Sequence, residues 1–269
     1  MNNKGIGIFD SGLGGLTVVK EIMDILPNER IFYLGDTARY PYGTKTKETI
    51  VRFSMENTAF LVKKKVKIIV VACNTASALA LKEIKHSFNM DIIGVIEAGA
   101  RAAVEATDNK RIGVIATRAT INSGAYVDAI RKYDPSARVF TQAAPLLVPL
   151  VEEGWLASRE TESILRHYLK VFSAKKIDTL LLGCTHYPLL KPLIRKIMPR
   201  TAIIDSAREM AKTVRALLEA RDITAGKGNR GRSEFYVTDT PAQFNKIGRL
   251  FLKKDMVNAK KVELQQFNG

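Results

Sequence analysis

The stretch Ile68–Ser77, IIVVACNTAS, sets a cysteine directly at the end of an apolar run and follows it with the polar pair Asn74 and Thr75. Far downstream Leu180–Leu190, LLLGCTHYPLL, repeats the arrangement with Cys184, Thr185 and His186. The 269-residue chain holds only these two cysteines. Short runs of continuous rather than alternating hydrophobicity mark strands buried on both faces of a sheet. In parallel α/β sheets the carboxyl ends of strands line the ligand crevice. Both thiols are therefore expected at such a crevice.

Working outward, similar runs predict strands at Ile6–Phe9, Ile31–Leu34, Ile68–Ala72, Ile92–Val95, Ile112–Ala116, Val139–Gln142, Thr179–Leu182, Ala202–Ile204 and Glu234–Val237. Helix-length amphipathic stretches, such as Thr46–Lys64 and Ser158–Phe172, lie between them. That alternation predicts an α/β fold with mainly parallel sheets covered by helices. An internal echo is also present. GIGIFDSG and RIGVIATRAT both read as strands ending in small polar residues at a helix start. Ile6 precedes Cys73 by 67 positions and Ile112 precedes Cys184 by 72. Two related halves are expected, with a period too long for a solenoid. If the halves face each other, Asp10, Cys73, Thr117 and Cys184 meet in one cleft.

Composition bounds the class. Apolar residues at 46% and charged residues at 26% make an ordinary globular mixture. The length suffices for one large or two medium domains. No apolar run approaches the roughly 20 residues of a membrane helix, and MNNKGIGIFD leaves no room for a signal peptide. Two cysteines are too few for a disulfide framework. A cytoplasmic location without a membrane partner is expected. The net charge of +15 would suit nucleic acid, but the cations are spread along the chain. The densest clusters, VKKKVK at Val62–Lys67 and GKGNRGR at Gly226–Arg232, lack interleaved aromatics. The first reads as the C-terminal end of a helix and the second as an exposed loop. A solvated basic surface is the expectation, ahead of nucleic-acid binding.

A lone free cysteine is usually inert core filler. Two at equivalent strand ends, each followed by hydrogen-bonding side chains and a helix start, point instead to chemistry. A helix N-terminus lowers a thiol's pKa, and a thiol poised between protonation states can take or give a proton. Structural zinc wants four ligands in close-spaced pairs, whereas Cys184 and His186 have no second pair, so no metal site is expected. FDSGLGGLTV, Phe9–Val18, is a glycine-rich turn that could present N–H groups to a carboxylate, or one in which Asp10 or Ser11 merely caps the helix. In GDTARYPYGTKT the pair Tyr42 and Gly43 could offer a backbone N–H and an aromatic wall; alone it reads as loop punctuation. In LLVPLVEEG, Glu152 could orient a catalytic partner or be an exposed helical glutamate.

With these segments laid out, the chain resembles the cofactor-independent aspartate/glutamate racemase family. GIFDSGLGGLTV, DTARYPYG, VVACNTAS, LVPLVEEG and LLGCTHYPLL recur in the family's order over nearly the whole chain. The resemblance implies two pseudo-symmetric α/β domains, residues 1–96 plus 206–269 and residues 97–205, with the active site between them. It implies conversion of L-glutamate to D-glutamate for peptidoglycan without pyridoxal phosphate or metal, and a homodimer. Cys73 and Cys184 would transfer protons, with Asp10 near Cys73 and with Glu152 and His186 assisting Cys184. Asp10, Ser11, Tyr42, Gly43, Asn74, Thr75, Thr117, Thr120, Thr185 and His186 would hold the substrate. Ala144 stands where relatives often carry a cysteine, which leaves the two active thiols alone in the chain. Some relatives have an N-terminal extension linked to activation by a cell-wall precursor; no such dependence is expected here. An aspartate racemase would share both thiols and differ in how it holds the distal carboxylate. A non-catalytic amino-acid-binding protein would leave the paired thiols without a purpose.

Overall fold

The computed structural model describes residues 4–226, 233–252 and 258–267. Ten strands lie among them: β1 (Ile6–Asp10), β2 (Ile31–Gly35), β3 (Ile68–Val71), β4 (Ile92–Gly94), β5 (Arg111–Ala116), β6 (Arg138–Ala143), β7 (Thr179–Gly183), β8 (Ala202–Asp205), β9 (Glu234–Val237) and β10 (Ala259–Lys261). They form a six-stranded sheet, β10-β9-β2-β1-β3-β4, and a four-stranded sheet, β6-β5-β7-β8. Every strand pairing is parallel. The order β2-β1-β3-β4 recurs as β6-β5-β7-β8, so the sequence echo is a topological repeat. All residues of β1, β2, β3 and β7 are buried, which is why these segments read as unbroken apolar runs.

β10 was not anticipated. Its three residues, Ala259, Lys260 and Lys261, carry no apolar run, and both lysines are exposed. It exists because the backbone of β9 offers a parallel edge. The basic segment Gly226–Arg232 lies, apart from Gly226, outside the described residues.

Helix limits follow local capping. Thr46 Oγ1 accepts from the N–H of Thr49 and starts the helix Lys47–Lys63, while Ser158 does the same from Thr161 for Arg159–Lys175. The cluster Val62–Lys67 does end a helix, with Lys63 in its last turn. It is not all solvated surface, however. Lys64 Nζ lies 4.3 Å over the Tyr236 ring, and Lys67 Nζ is 2.6 Å from Glu29 Oε2 with both side chains about 2% exposed.

The main core is continuous across the two sheets. It runs from Ile8 and Val70 through the helices Leu16–Ile25 and Ser206–Ala220 to Ile115, Leu180 and Leu182. The loops after β1 and β7 also touch directly. Thr17 Oγ1 donates to the Thr185 carbonyl at 3.0 Å. A Cβ at Gly14 would stand 2.2 Å from Thr185 Oγ1 and 2.5 Å from the His186 ring, so no side chain fits there. Among the described residues no helix is long and apolar enough to cross a membrane.

Leu182 is fully buried on β7, an inner strand of the four-stranded sheet. Leu182→Ala should lower unfolding free energy by about 2–5 kcal/mol, the range for a cavity left by a buried leucine. Urea denaturation followed by circular dichroism checks this, and a loss under about 1 kcal/mol would contradict the packing described.

Candidate active site

The carboxyl ends of β1, β3, β5 and β7 open onto one cleft. Cys73 follows β3 and is the N-cap of the helix Asn74–Leu79. Its Sγ accepts from the N–H of Ala76 at 3.5 Å, and its thiol faces Ser11 Oγ at 3.7 Å. Cys184 follows β7, but no α-helix starts beside it. A turn through His186 leads into the 3₁₀ segment Tyr187–Leu190, and only then into the helix Lys191–Ile197. The two cysteine motifs thus match in strand position and differ in the backbone just beyond the cysteine.

That difference changes their partners. Cys184 Sγ lies 3.8 Å from His186 Nδ1, while His186 Nε2 lies 2.9 Å from Glu152 Oε1. Burial alone would lower the imidazole, but the hydrogen bonds and charges of Cys184 and Glu152 overcome it and carry His186 up to about 10. Among the described residues Cys73 has no comparable cation beside it. Burial, then the Asp10 charge, pushes its thiol up to about 12 against the opposing N–H of Ala76 and the contacts of Ser11. The expectation that a helix N-terminus lowers this pKa therefore fails for Cys73. One helical N–H does not offset burial next to a carboxyl.

Asp10 is fully buried beneath the cleft. Its Oδ2 accepts from the N–H groups of Gly12 at 3.1 Å and Gly15 at 3.0 Å. Asp10 thus braces the glycine turn from within and occupies two of its N–H groups, while the helix Leu16–Ile25 starts at Gly15 without a side-chain cap. Burial raises the Asp10 pKa although His186 and these N–H groups oppose the rise. Its Oδ1 has no hydrogen-bond partner among the described residues, and neither has the buried Asn74 Nδ2. Asn74 Oδ1 accepts from the Tyr126 hydroxyl at 2.6 Å, which turns its amide nitrogen the other way.

Hydroxyls gather on the opposite wall. Thr75, Thr117 and Thr120 form a triangle of Oγ1 contacts at 3.0, 3.1 and 2.9 Å. Ser11, Gly43, Asn74, Thr75, Thr117 and Thr185 all line the cleft, whereas Asp10, Thr120 and Glu152 stand behind it. Tyr42 reaches the cleft but is not a free aromatic wall. Its ring is 1% exposed, and its hydroxyl donates to Asp36 and accepts from Asn57 Nδ2 at 3.0 Å. The aromatic wall is Tyr40, which the sequence pattern did not single out although it lies in the same DTARYPYG segment. Arg118, Pro145, Val148 and Pro149 also line the cleft. Arg118 is an exposed residue on a short helix, and nothing in the pattern separates it from a solvated arginine.

Four similarities bear on this site. A family model described as Asp/Glu/Hydantoin racemase matches residues 12–214. A glutamate racemase of Neisseria meningitidis is 49% identical over 260 residues, covering 96% of each chain. One from Geobacter metallireducens is 46% identical over 263 residues, covering 97% of each. The crystal structure of glutamate racemase from Francisella tularensis in complex with D-glutamate superposes with a TM-score of 0.93 at 40% identity, covering 99% of this chain and 100% of that one.

Because alkylation follows the thiolate fraction, the Cys73 rate with iodoacetamide should keep rising with pH beyond 9 and toward about 12 in the unliganded protein. Peptide mapping by mass spectrometry reads this site by site. A rate that levels off near pH 9, the usual thiol value, would contradict the environment assigned to Cys73.

Proposed function

This chain belongs to the Asp/Glu/hydantoin racemase family, and on that footing we infer that it interconverts L- and D-glutamate with Cys73 and Cys184 as the two proton-transfer groups. The observation that carries the reading is the placement of the only two thiols at corresponding strand ends of a repeated topology, both lining one cleft. Inversion at Cα needs a proton to leave one face and another to arrive on the opposite face. Two opposed groups do this without either swinging round a planar carbanion.

In the L-to-D direction the Cα–H bond breaks as its proton passes to the Cys184 thiolate, which is paired with the His186 imidazolium. The Cys73 S–H bond then breaks and its proton forms the new Cα–H bond on the other face. Cys73 is suited to donate, since its buried thiol holds its proton well above neutral pH. In the reverse direction Cys73 must first be a thiolate, and the substrate ammonium entering beside it supplies the stabilising charge. The carbanion needs preorganised donors at its α-carboxylate. Asn74 Nδ2, buried and unpartnered among the described residues, is the leading one, with the hydroxyls of Thr75, Thr117 and Thr185 beside it. Thr120 holds two of those hydroxyls in place. Ser11 and the backbone of Tyr42 and Gly43 take the distal carboxylate. A site built for that carboxylate rejects alanine.

The same reading supplies D-glutamate to peptidoglycan assembly and needs no cofactor. It divides the chain into residues 1–96 plus 206–269 and residues 97–205, a division supported by β9 and β10 joining the sheet of β1–β4 rather than that of β5–β8. A cytoplasmic homodimer completes it; the half-exposed Leu146, Trp155 and Leu250 offer apolar surface for a second copy, and sedimentation velocity tests the assembly.

Purified protein should racemise either glutamate enantiomer, followed by circular dichroism, with no added cofactor. In heavy water early product should carry deuterium at Cα while recovered substrate carries almost none. Deuterium entering substrate as fast as product would sink the two-thiol arrangement. Cys73→Ser and Cys184→Ser should each abolish turnover, because a serine hydroxyl is too weak an acid to rest as an anion.

Asp10→Asn, Glu152→Gln and His186→Asn should each lower kcat more than they raise KM. Steady-state kinetics in both directions checks this, and unchanged kcat in all three variants would remove these groups from proton transfer.

A further inference from the structure

Asn74 carries the leading donor of the proposed site, and what aims that donor lies outside the cleft. The residue opens the helix Asn74–Leu79 and is 2% exposed. A side-chain amide presents an oxygen and an NH2 of nearly the same shape, so packing alone does not choose which one faces a ligand. Hydrogen bonding makes the choice. Asn74 Oδ1 accepts from the Tyr126 hydroxyl at 2.6 Å, and Nδ2 has no hydrogen-bond partner among the described residues.

Tyr126 comes from the other sheet. It lies on the helix Ala125–Tyr133, between β5 and β6, and stands behind the cleft rather than in its lining. Two glycines give its ring passage to Asn74. A Cβ at Gly183, the last residue of β7 and the neighbour of Cys184, would stand 2.8 Å from Tyr126 Cε2. One at Gly99, on the helix Val95–Ala106, would stand 3.4 Å from Cε1. The ring is thus seated against the strand that presents Cys184, while its hydroxyl reaches the residue next to Cys73. Burial raises the phenol above its ordinary range, so it keeps its proton and can donate it. We propose that Tyr126 is a positioning residue, which turns the Asn74 amide nitrogen to the substrate α-carboxylate and holds it in register with Cys184. As the Cα–H bond breaks, negative charge spreads onto that carboxylate, and a fixed N–H donor stabilises it. An amide left free to turn would present its oxygen there for part of the time.

The proposal rests on the two-thiol reading with Asn74 at the α-carboxylate, and its test separates the two. Tyr126→Phe keeps the ring and removes only the hydroxyl. It should lower kcat by roughly tenfold to a hundredfold and change KM less, because the donor matters most where charge develops. Asn74→Ala should lose at least as much. In the Asn74→Ala background Tyr126→Phe should have almost no further effect on kcat, because both changes disable one linkage. Additive losses in the double variant would make Tyr126 a packing residue and overturn the proposal. So would wild-type kcat in either single variant, or a raised KM at unchanged kcat. Thermal melting of each variant shows that the fold is kept. A second measurement uses the wild-type protein alone. With its proton held on Oδ1, the Tyr126 hydroxyl should give a slowly exchanging proton resonance, assigned by its nuclear Overhauser contact with the Tyr126 ring. Exchange at the rate of a free phenol would overturn the proposal. Racemisation surviving in Cys184→Ser would instead fail the two-thiol reading, whatever Tyr126 does.

Discussion

The contact between the loop after β1 and the loop after β7 is the constraint on which the site depends. Gly14 lies against Thr185 and His186 so closely that a single added carbon would overlap both. Thr17, in the first turn of the helix Leu16–Ile25, adds a hydrogen bond to the Thr185 carbonyl. Gly43 approaches Thr117 similarly, with 2.9 Å between a built Cβ and that of the threonine. These approaches bring the carboxyl ends of two separate sheets within reach of one small molecule. Each sheet alone would present a single cysteine at an open edge.

Equivalent backbone positions have been given unequal surroundings. Cys73 caps a helix yet is pushed up by burial beside Asp10. Cys184 is followed by a turn that brings His186 to its side, and Glu152 holds the far nitrogen of that ring. The two-thiol reading asks one group to give a proton while the other takes one, and unequal surroundings suit that division. Topology repeats between the halves, while the side chains around each sulfur break that repetition.

Much of the architecture could be read from the residues because burial on both faces leaves a continuous apolar run. β1, β3, β5 and β7 show this, while the helix starts at Thr46 and Ser158 follow from local capping. β10 escaped because two of its three residues are exposed lysines and its pairing is supplied by β9. Tyr40 escaped because an aromatic in a loop rich in proline and glycine has no period to mark it; only the fold sets its ring against His186. The state of Cys73 also lay beyond sequence reading. Helix capping is a local property, whereas desolvation depends on everything packed around the sulfur.

The six-stranded sheet is completed from the far end of the chain. β9 and β10 are made last, yet β9 lies against β2, where Tyr33 packs on Phe235 and Phe244. During synthesis on the ribosome, β5–β8 can therefore pair among themselves while β2 still presents an unpaired edge. An open, fully apolar edge is a template for wrong partners. The nascent polypeptide passes through an interval in which the half bearing Cys73, although translated first, is the last to become finished structure.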